Sequence, residues 1–371
     1  MSTPDILDRH ALDALGWALV HFLWQGALLA LAYACFAALA RGAGAQARYL
    51  ASCAALALML ALPAATFVLK LGQTTAPAAP EWQVQDEALV DPAQARARAE
   101  ARGESAPPPS AREARGGTGA EAETLRGWAE ARVRRLTPWL VPAWALGVLF
   151  LALRAGAGWL AVRRLRASAR AVAGPARESF ARLAARLGVS RAAGLWQSAL
   201  VEVPTVIGVL RPFVLVPASA LTGLTPQQLE AVLAHELAHV RRHDYLVNLL
   251  QTAVETLLFY HPAVWWVSGR VRQEREHACD DAAVEATGDA LVYARALAAL
   301  ETLRGRPGGA PALALAADGG SLMRRIKRLV QRDPKRTPAR ATPAAAALLM
   351  VLVGGGLAAT RALLPAEPGG A

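Results

Sequence analysis

Long apolar runs dominate the first half of this chain, and short alternating ones appear only later. Residues 14–39 and 49–71 are each long enough to cross a bilayer, for which about 20 apolar residues suffice, and a third run covers 138–162. The first run carries Trp17, His21, Trp24 and Gln25 at helical spacing, a polar and aromatic stripe expected to face protein rather than lipid. Arg41 and Arg48 flank a tight Gly-Ala turn between the first two runs, which predicts an antiparallel hairpin of spans over 1–72. Pro63 is tolerable inside a packed bundle. Residues 73–137 form a low-complexity outer loop: Ala, Pro, Gln, Glu and Arg dominate to about 119, too little apolar content to offset ordering entropy, and helical character returns over 120–136. The third span holds Trp139, Trp144 and Trp159 as interface anchors, with Arg154 deep inside it.

From 163 to 340 the pattern changes to that of a folded domain. A helix is expected around 179–187, then three short β-branched stretches at 195–201, 205–209 and 213–216 bounded by Pro and Gly, which predict a small sheet. Thr225-Pro226 reads as N-cap and first residue of a helix that stays apolar to about Tyr260, where His261-Pro262 breaks it. Trp265-Trp266 reads as interface anchoring. Residues 291–303 predict an amphipathic helix, 305–309 a flexible Gly-rich link, and 322–330 a basic helix at the membrane surface. A fourth span follows at 341–364, with a short tail over 365–371. The expected architecture is a mainly α membrane protein: four spans, with an α+β domain inserted between the third and fourth.

Composition supports a membrane protein. Hydrophobic residues make up 54% of the chain and the mean hydropathy is +0.27. The net charge of +11 is carried almost wholly by scattered Arg, without any recognition motif, so direct nucleic-acid binding is not expected. A basic face beside anionic lipid explains the sign more simply. The polar first eleven residues lack a signal-peptide pattern. The three cysteines make no disulfide framework: Cys35 and Cys53 lie in apolar runs, and Cys279 is read as packing rather than as a ligand.

The candidate chemistry lies in His235-Glu236-Leu237-Ala238-His239. On a helix the two imidazoles leave one face a turn apart, the geometry for holding zinc, with Glu236 free to act as general base on a water there. With 7 His and 29 acidic residues among 371, chance supplies roughly 0.01 such matches. A catalytic zinc keeps three protein ligands, and the charged stretch 270–281 is the best supplier of the third. Glu276 is the preferred ligand, with Asp280 one turn on orienting an imidazole from behind; Glu274, His277 and Asp280 are the other candidates for the ligand position. Glu274 points about 160° from Glu276 and, with Arg270 and Arg272, is expected on a solvated face. Asp244 and Asn248 are expected roughly opposite the His face as structural hydrogen-bonders. His243, about 80° from His235 on the same continuous helix, is a candidate oxyanion donor.

At these residues the chain resembles the BlaR/MecR family of membrane zinc metallopeptidases, signal transducers in antibiotic sensing. The resemblance rests on H-E-L-A-H-x-x-x-x-D-x-x-x-N from His235 to Asn248, His261-Pro262-x-x-Trp265-Trp266, R-E-x-x-C-D from Arg275 to Asp280, and the segment 203–217. It implies zinc on His235, His239 and Glu276, Glu236 as general base, and a protein substrate such as a BlaI/MecI-like repressor or the chain itself. It also implies a cytosolic catalytic domain in the bacterial inner membrane. Charge agrees only in part: basic residues outnumber acidic ones over 163–340, but Arg132, Arg134 and Arg135 flank the third span on the supposed outer side. Members that sense β-lactams carry a penicillin-binding domain beyond the last span, so the expectation here is a member without that sensor. Two rivals stand beside this reading. One is a quality-control protease like HtpX or the prenyl-protein peptidases, which carry E-x-x-A-D where this chain has E-x-x-C-D. The other is a non-catalytic signalling scaffold with a structural zinc. Pairing into a homodimer is left open.

Overall fold

The structure, a computed structural model, describes residues 3–73, 116–189, 194–208, 212–304 and 322–331. The fourth span, the 305–309 link and most of the 73–137 loop lie outside the described residues. Three helices dominate the first half: α1 (Thr3–Leu39), α2 (Ala45–Gln73) and α3 (Gly116–Ser168). Each contains a stretch long and apolar enough to cross a membrane: His10–Gly42 (running into the turn after α1), Ala45–Gly72 and Arg135–Ser168. The helical tract expected at 120–136 is thus the first part of α3, which continues through Pro138 and Pro142. A 3₁₀ turn, Ala40–Gly42, links α1 to α2.

Two compact units divide these residues. One comprises Met1–Leu23 and Leu62–Leu146, the other Trp24–Ala61 and Gly147–Ala371. Within the first, Lys70 of α2 lies over the Trp17 ring of α1 at 5.2 Å, and Thr137 of α3 closes on Gly16. Any Cβ at Gly16 would come within 2.9 Å of Thr137, so the small residue allows the approach.

The second unit carries the remaining elements: β1 (Arg170–Ala171), α4 (Pro175–Arg186), β2 (Gly194–Ser198), β3 (Thr205–Ile207), β4 (Phe213–Pro217), α5 (Ala218–Gly223), α6 (Pro226–Arg241), α7 (Asp244–Leu257), α8 (Pro262–Thr287), α9 (Ala290–Arg304) and α10 (322–330). The sheet runs β1-β2-β4-β3, with β2/β4 parallel and the other pairs antiparallel. Strand β4 is buried along its whole length, which is why it reads as a continuous apolar run. Its period-2 alternation sends Val214 and Val216 into the core shared with α4, α6 and α9, and Phe213 and Leu215 into a smaller cluster with Leu165 and Val201. Strand β1 was not anticipated, and β2 ends at Ser198 rather than at 201.

Helix α6 is the centre of this unit: Ala231, Leu233, Ala234 and Leu237 are fully buried among α4, α8 and α9. Its start has the N-cap expected at Thr225, extended to a reciprocal capping box: Gln228 N donates to Thr225 Oγ1 at 3.3 Å, and Thr225 N donates to Gln228 Oε1 at 3.0 Å. Its end corrects the sequence reading. The helix does not run to Tyr260; it stops at Arg241, His243 turns left-handed at φ 57°, and α7 begins at Asp244. Histidine is among the non-glycine residues that tolerate this conformation, and neither Gly nor Pro marks the break.

Helix α10 also departs from expectation. Leu329 is 2% exposed within the core, and Arg328 forks onto both oxygens of Asp281 at 2.7 Å. That face is docked on the domain, so the basic residues expected to meet lipid are partly committed to carboxylates of α8.

Removing the cap hydroxyl of α6 with Thr225→Ala is expected to lower stability by about 1 kcal/mol, with Thr225→Ser close to wild type. Urea unfolding in detergent, followed by far-ultraviolet circular dichroism, checks this.

Candidate metal centre

The two histidines of α6 turn their Nε2 atoms toward each other at 3.2 Å, with ring planes 89° apart. Glu276, from the second half of α8, closes the third side: Oε2 is 3.5 Å from His235 Nε2 and Oε1 is 3.8 Å from His239 Nε2. One donor atom from each lies within 4.8 Å of the others. Ligands of a tetrahedral zinc, each roughly 2.1 Å from the ion, stand about 3.3 Å apart, so the spacing of these atoms fits such an ion.

His239 Nδ1 meets Asp244 Oδ2 at 2.8 Å, and His235 Nδ1 meets the Tyr293 hydroxyl at 2.9 Å and Asp280 Oδ1 at 3.3 Å. With each Nδ1–H given to an oxygen, both neutral rings present lone pairs at Nε2. Two lone pairs at that separation repel unless a proton or a cation lies between them. Burial disfavours charge on His235, but its bonds to Asp280 and Glu276 outweigh this and push its pKa up to about 9. A metal ion bound between the two Nε2 atoms would compete with protons for these nitrogens.

The carboxylates are supported in turn. Asp280 is fully buried, yet Arg325 of α10 donates to Oδ2 at 3.0 Å and to Oδ1 at 2.5 Å, and Tyr293 donates to Oδ1 at 2.7 Å. Burial alone would raise its pKa; His235 and Arg325 hold it well below the usual carboxylate range. Burial likewise opposes charge on Glu276, and the two histidines with Arg325 overcome it. Asp244 stays ionised by the same balance, through His239, Arg242 and Tyr49. Glu236 differs. Burial raises its pKa, and the neighbouring histidines only partly offset this, which suits a group that must accept and return a proton.

A second cluster, His239, Asp244 and Cys279, also brings three donor atoms together. Its contacts are hydrogen bonds: the 2.8 Å between His239 Nδ1 and Asp244 is too short for two ligands sharing an ion, and Cys279 Sγ donates to Asp244 at 3.4 Å. Burial pushes the Cys279 thiol up, so it remains a donor.

The structure places the other candidates less as expected. Asp244 is not opposite the His face, because the left-handed turn at His243 swings it back against His239. His243 is displaced by the same break: its ring lies 6.1 Å from that of Tyr245, and it is absent from the cleft lining, so the oxyanion role argued from a continuous helix loses its basis. Glu274 is not solvated but 8% exposed and paired with Arg48 at 2.9 Å. His277 lies beside it, with Nδ1 3.5 Å from Glu274 Oε2 and away from the Nε2 pair. Tyr293 and Arg325 were missed altogether; the only sequence signal was an isolated Tyr inside an otherwise apolar amphipathic helix.

His235, Glu236, His239 and Glu276 open onto a cleft of 830 Å³, bordered on one side by Val203–Val206 and on another by Arg324 and Arg325. Thr205 and Val206 belong to β3, an edge of the sheet, so among the described residues an unpaired strand edge runs beside the candidate ligands.

Over 91 residues the chain is 31% identical to regulatory protein BlaR1 of Bacillus licheniformis, covering 24% of this chain and 15% of that protein. Over 83 residues it is 24% identical to the methicillin resistance mecR1 proteins of Staphylococcus aureus and Staphylococcus epidermidis, covering 22% of this chain and 14% of theirs. The matched stretches therefore span well under a fifth of these relatives. A model of the BlaR1 peptidase M56 family, by contrast, matches residues 65–329, a region that holds His235, Glu236, His239 and Glu276, and on that match the chain belongs to this family of peptidases.

Proposed function

We propose that this chain is a membrane-embedded zinc metalloendopeptidase in regulatory signalling. Its catalytic domain lies on the cytosolic side of the bacterial inner membrane, and it cuts a repressor of the BlaI/MecI type, itself, or both. The observation that carries the reading is the convergence of His235 Nε2, His239 Nε2 and Glu276 beside a buried Glu236 that touches an open cleft. Zinc held by His235, His239 and Glu276 would supply a Lewis acid that polarises a peptide carbonyl and acidifies water. Glu236 takes the proton from the attacking water as the C–O bond forms and delivers it to the amide nitrogen as the C–N bond breaks. Asp244, Asp280 and Tyr293 hold the two imidazoles in the tautomer that leaves Nε2 free. An extended substrate segment pairs with the edge of β3, which recognises backbone and so favours a polypeptide.

A purely structural zinc requires no acid beside its ligands, and burying Glu236 at 7% exposure costs desolvation energy that such a site gains nothing from. This favours catalysis over a scaffold role.

Glu236→Gln is expected to lower peptide hydrolysis by roughly 10²–10⁴-fold while bound zinc per chain stays unchanged. Comparing proteomes of cells carrying wild type and Glu236→Gln should then reveal a repressor-like protein that loses a fragment only with wild type; general loss of unrelated membrane proteins would instead indicate a quality-control protease. Removing zinc with a chelator should abolish hydrolysis, and adding it back should restore it. Asp280→Asn, which weakens the support of His235, should reduce zinc affinity by about 10–100-fold in a chelator competition.

A further inference from the structure

Two supports of the candidate centre come from far earlier in the chain. Arg48 and Tyr49 are consecutive residues in the first turns of α2, close to the turn that joins the first two candidate spans. Tyr49 is 4% exposed, and its hydroxyl donates to Asp244 Oδ1 at 3.0 Å, while Asp244 Oδ2 holds His239 Nδ1 at 2.8 Å. Arg48 Nε donates to Glu274 Oε2 at 2.9 Å, and Glu274 stands two residues before Glu276 on α8. Arg242 closes the same corner. Its guanidinium lies 4.4 Å over the Tyr49 ring, bonds the Gln46 side chain, and reaches Asp244 Oδ1 at 3.4 Å.

These contacts are specific in direction. Asp244 has two oxygens and four donors: Tyr49 and Arg242 on Oδ1, His239 and Cys279 on Oδ2. A buried carboxylate with one donor removed shifts toward those that remain or loses part of its charge stabilisation, and either change alters the bond to His239. Adjacent residues of one helix therefore touch both elements that carry ligands: Tyr49 through Asp244 to His239, Arg48 through Glu274 to the helix of Glu276.

We propose that Arg48 and Tyr49 are positioning residues of the metal centre, so that the placement of the turn between the first two membrane helices sets the orientation of His239 and Glu276 and with it the affinity for metal. This rests on the metal-centre reading above. It gives the membrane hairpin a direct mechanical connection to the site, and a displacement of the hairpin would loosen the site without any change in the ligands themselves.

The test uses the full chain in detergent micelles, loaded with Co²⁺ as a visible substitute for zinc and titrated against a chromophoric chelator. Tyr49→Phe keeps the ring beneath Arg242 and deletes only the hydroxyl. It is expected to weaken metal binding by about 3- to 10-fold, less than the roughly 10–100-fold typical of groups bonded directly to a ligand, and to shift the Co²⁺ absorption bands. Arg48→Gln, which breaks the tie to α8 together with the Arg48 Nη1 bond to the Ala43 carbonyl, provides a second variant with an expected loss in the same direction. A merely structural role would lower the unfolding temperature of the metal-free protein and leave affinity and Co²⁺ spectrum as in wild type; that result overturns the proposal. Asp244→Asn separates the two readings. If it weakens binding and the Tyr49 and Arg48 variants do not, the link to the hairpin is wrong and the metal centre stands. If wild type takes up no Co²⁺, the metal-centre reading fails and this proposal falls with it.

Discussion

Two imidazole Nε2 atoms held 3.2 Å apart are the constraint on which the rest of this site depends. Nothing in helix propensity brings them to 3.2 Å; the i, i+4 spacing supplies only the shared face. Their final orientation is imposed from behind, where one ring leans on Asp244 and the other on Tyr293 and Asp280. Each of these supports is buried, so each needs further partners. Arg325 answers for Asp280, and Arg242, Tyr49 and Cys279 answer for Asp244. The requirement to satisfy buried charge thus propagates outward from two nitrogens until it reaches α10 on one side and α2 on the other.

Such networks are poor contributors to stability, because desolvation consumes most of the Coulombic gain. Their effect is directional. An apolar packing of α10 on α8 would hold the helices together equally well, but would not decide which nitrogen of His235 carries a hydrogen. Leu329 and Ile326 supply the adhesion, while Arg325 supplies the orientation, from a single short helix.

How much of this is legible in the sequence follows the range of each interaction. The N-cap at Thr225, the break at His261-Pro262 and the buried run of β4 are local patterns, and they are read correctly from neighbours in the chain. The candidate ligand pair of α6 is local too, being one helical turn apart. Asp244 fails for a specific reason. Its position was deduced by extending one helix through His243, and a left-handed residue there reverses the direction in which every later side chain points. Glu274 fails for another. Its face of α8 does point away from Glu276 as the helical angle demands, but that face is covered by Arg48, more than two hundred residues earlier, and no pattern within α8 reports a covering element. Tyr293 and Arg325 are invisible for the same reason: a hydroxyl and a guanidinium become functional only through what folding places beside them.

The left-handed turn at His243 also explains why the membrane hairpin can reach the site at all. Had α6 continued as one helix, Asp244 would have pointed away from His239, and a donor from α2 could not have touched both the helix and the carboxylate that orients the ring. The break places Asp244 between His239 and Tyr49, one oxygen facing each. A single strained residue therefore converts a helix end into a junction, and the junction joins a candidate membrane span to an imidazole. Any substitution at His243 that restores helix would redirect the Asp244 carboxylate and so break both of its bonds, to His239 and to Tyr49.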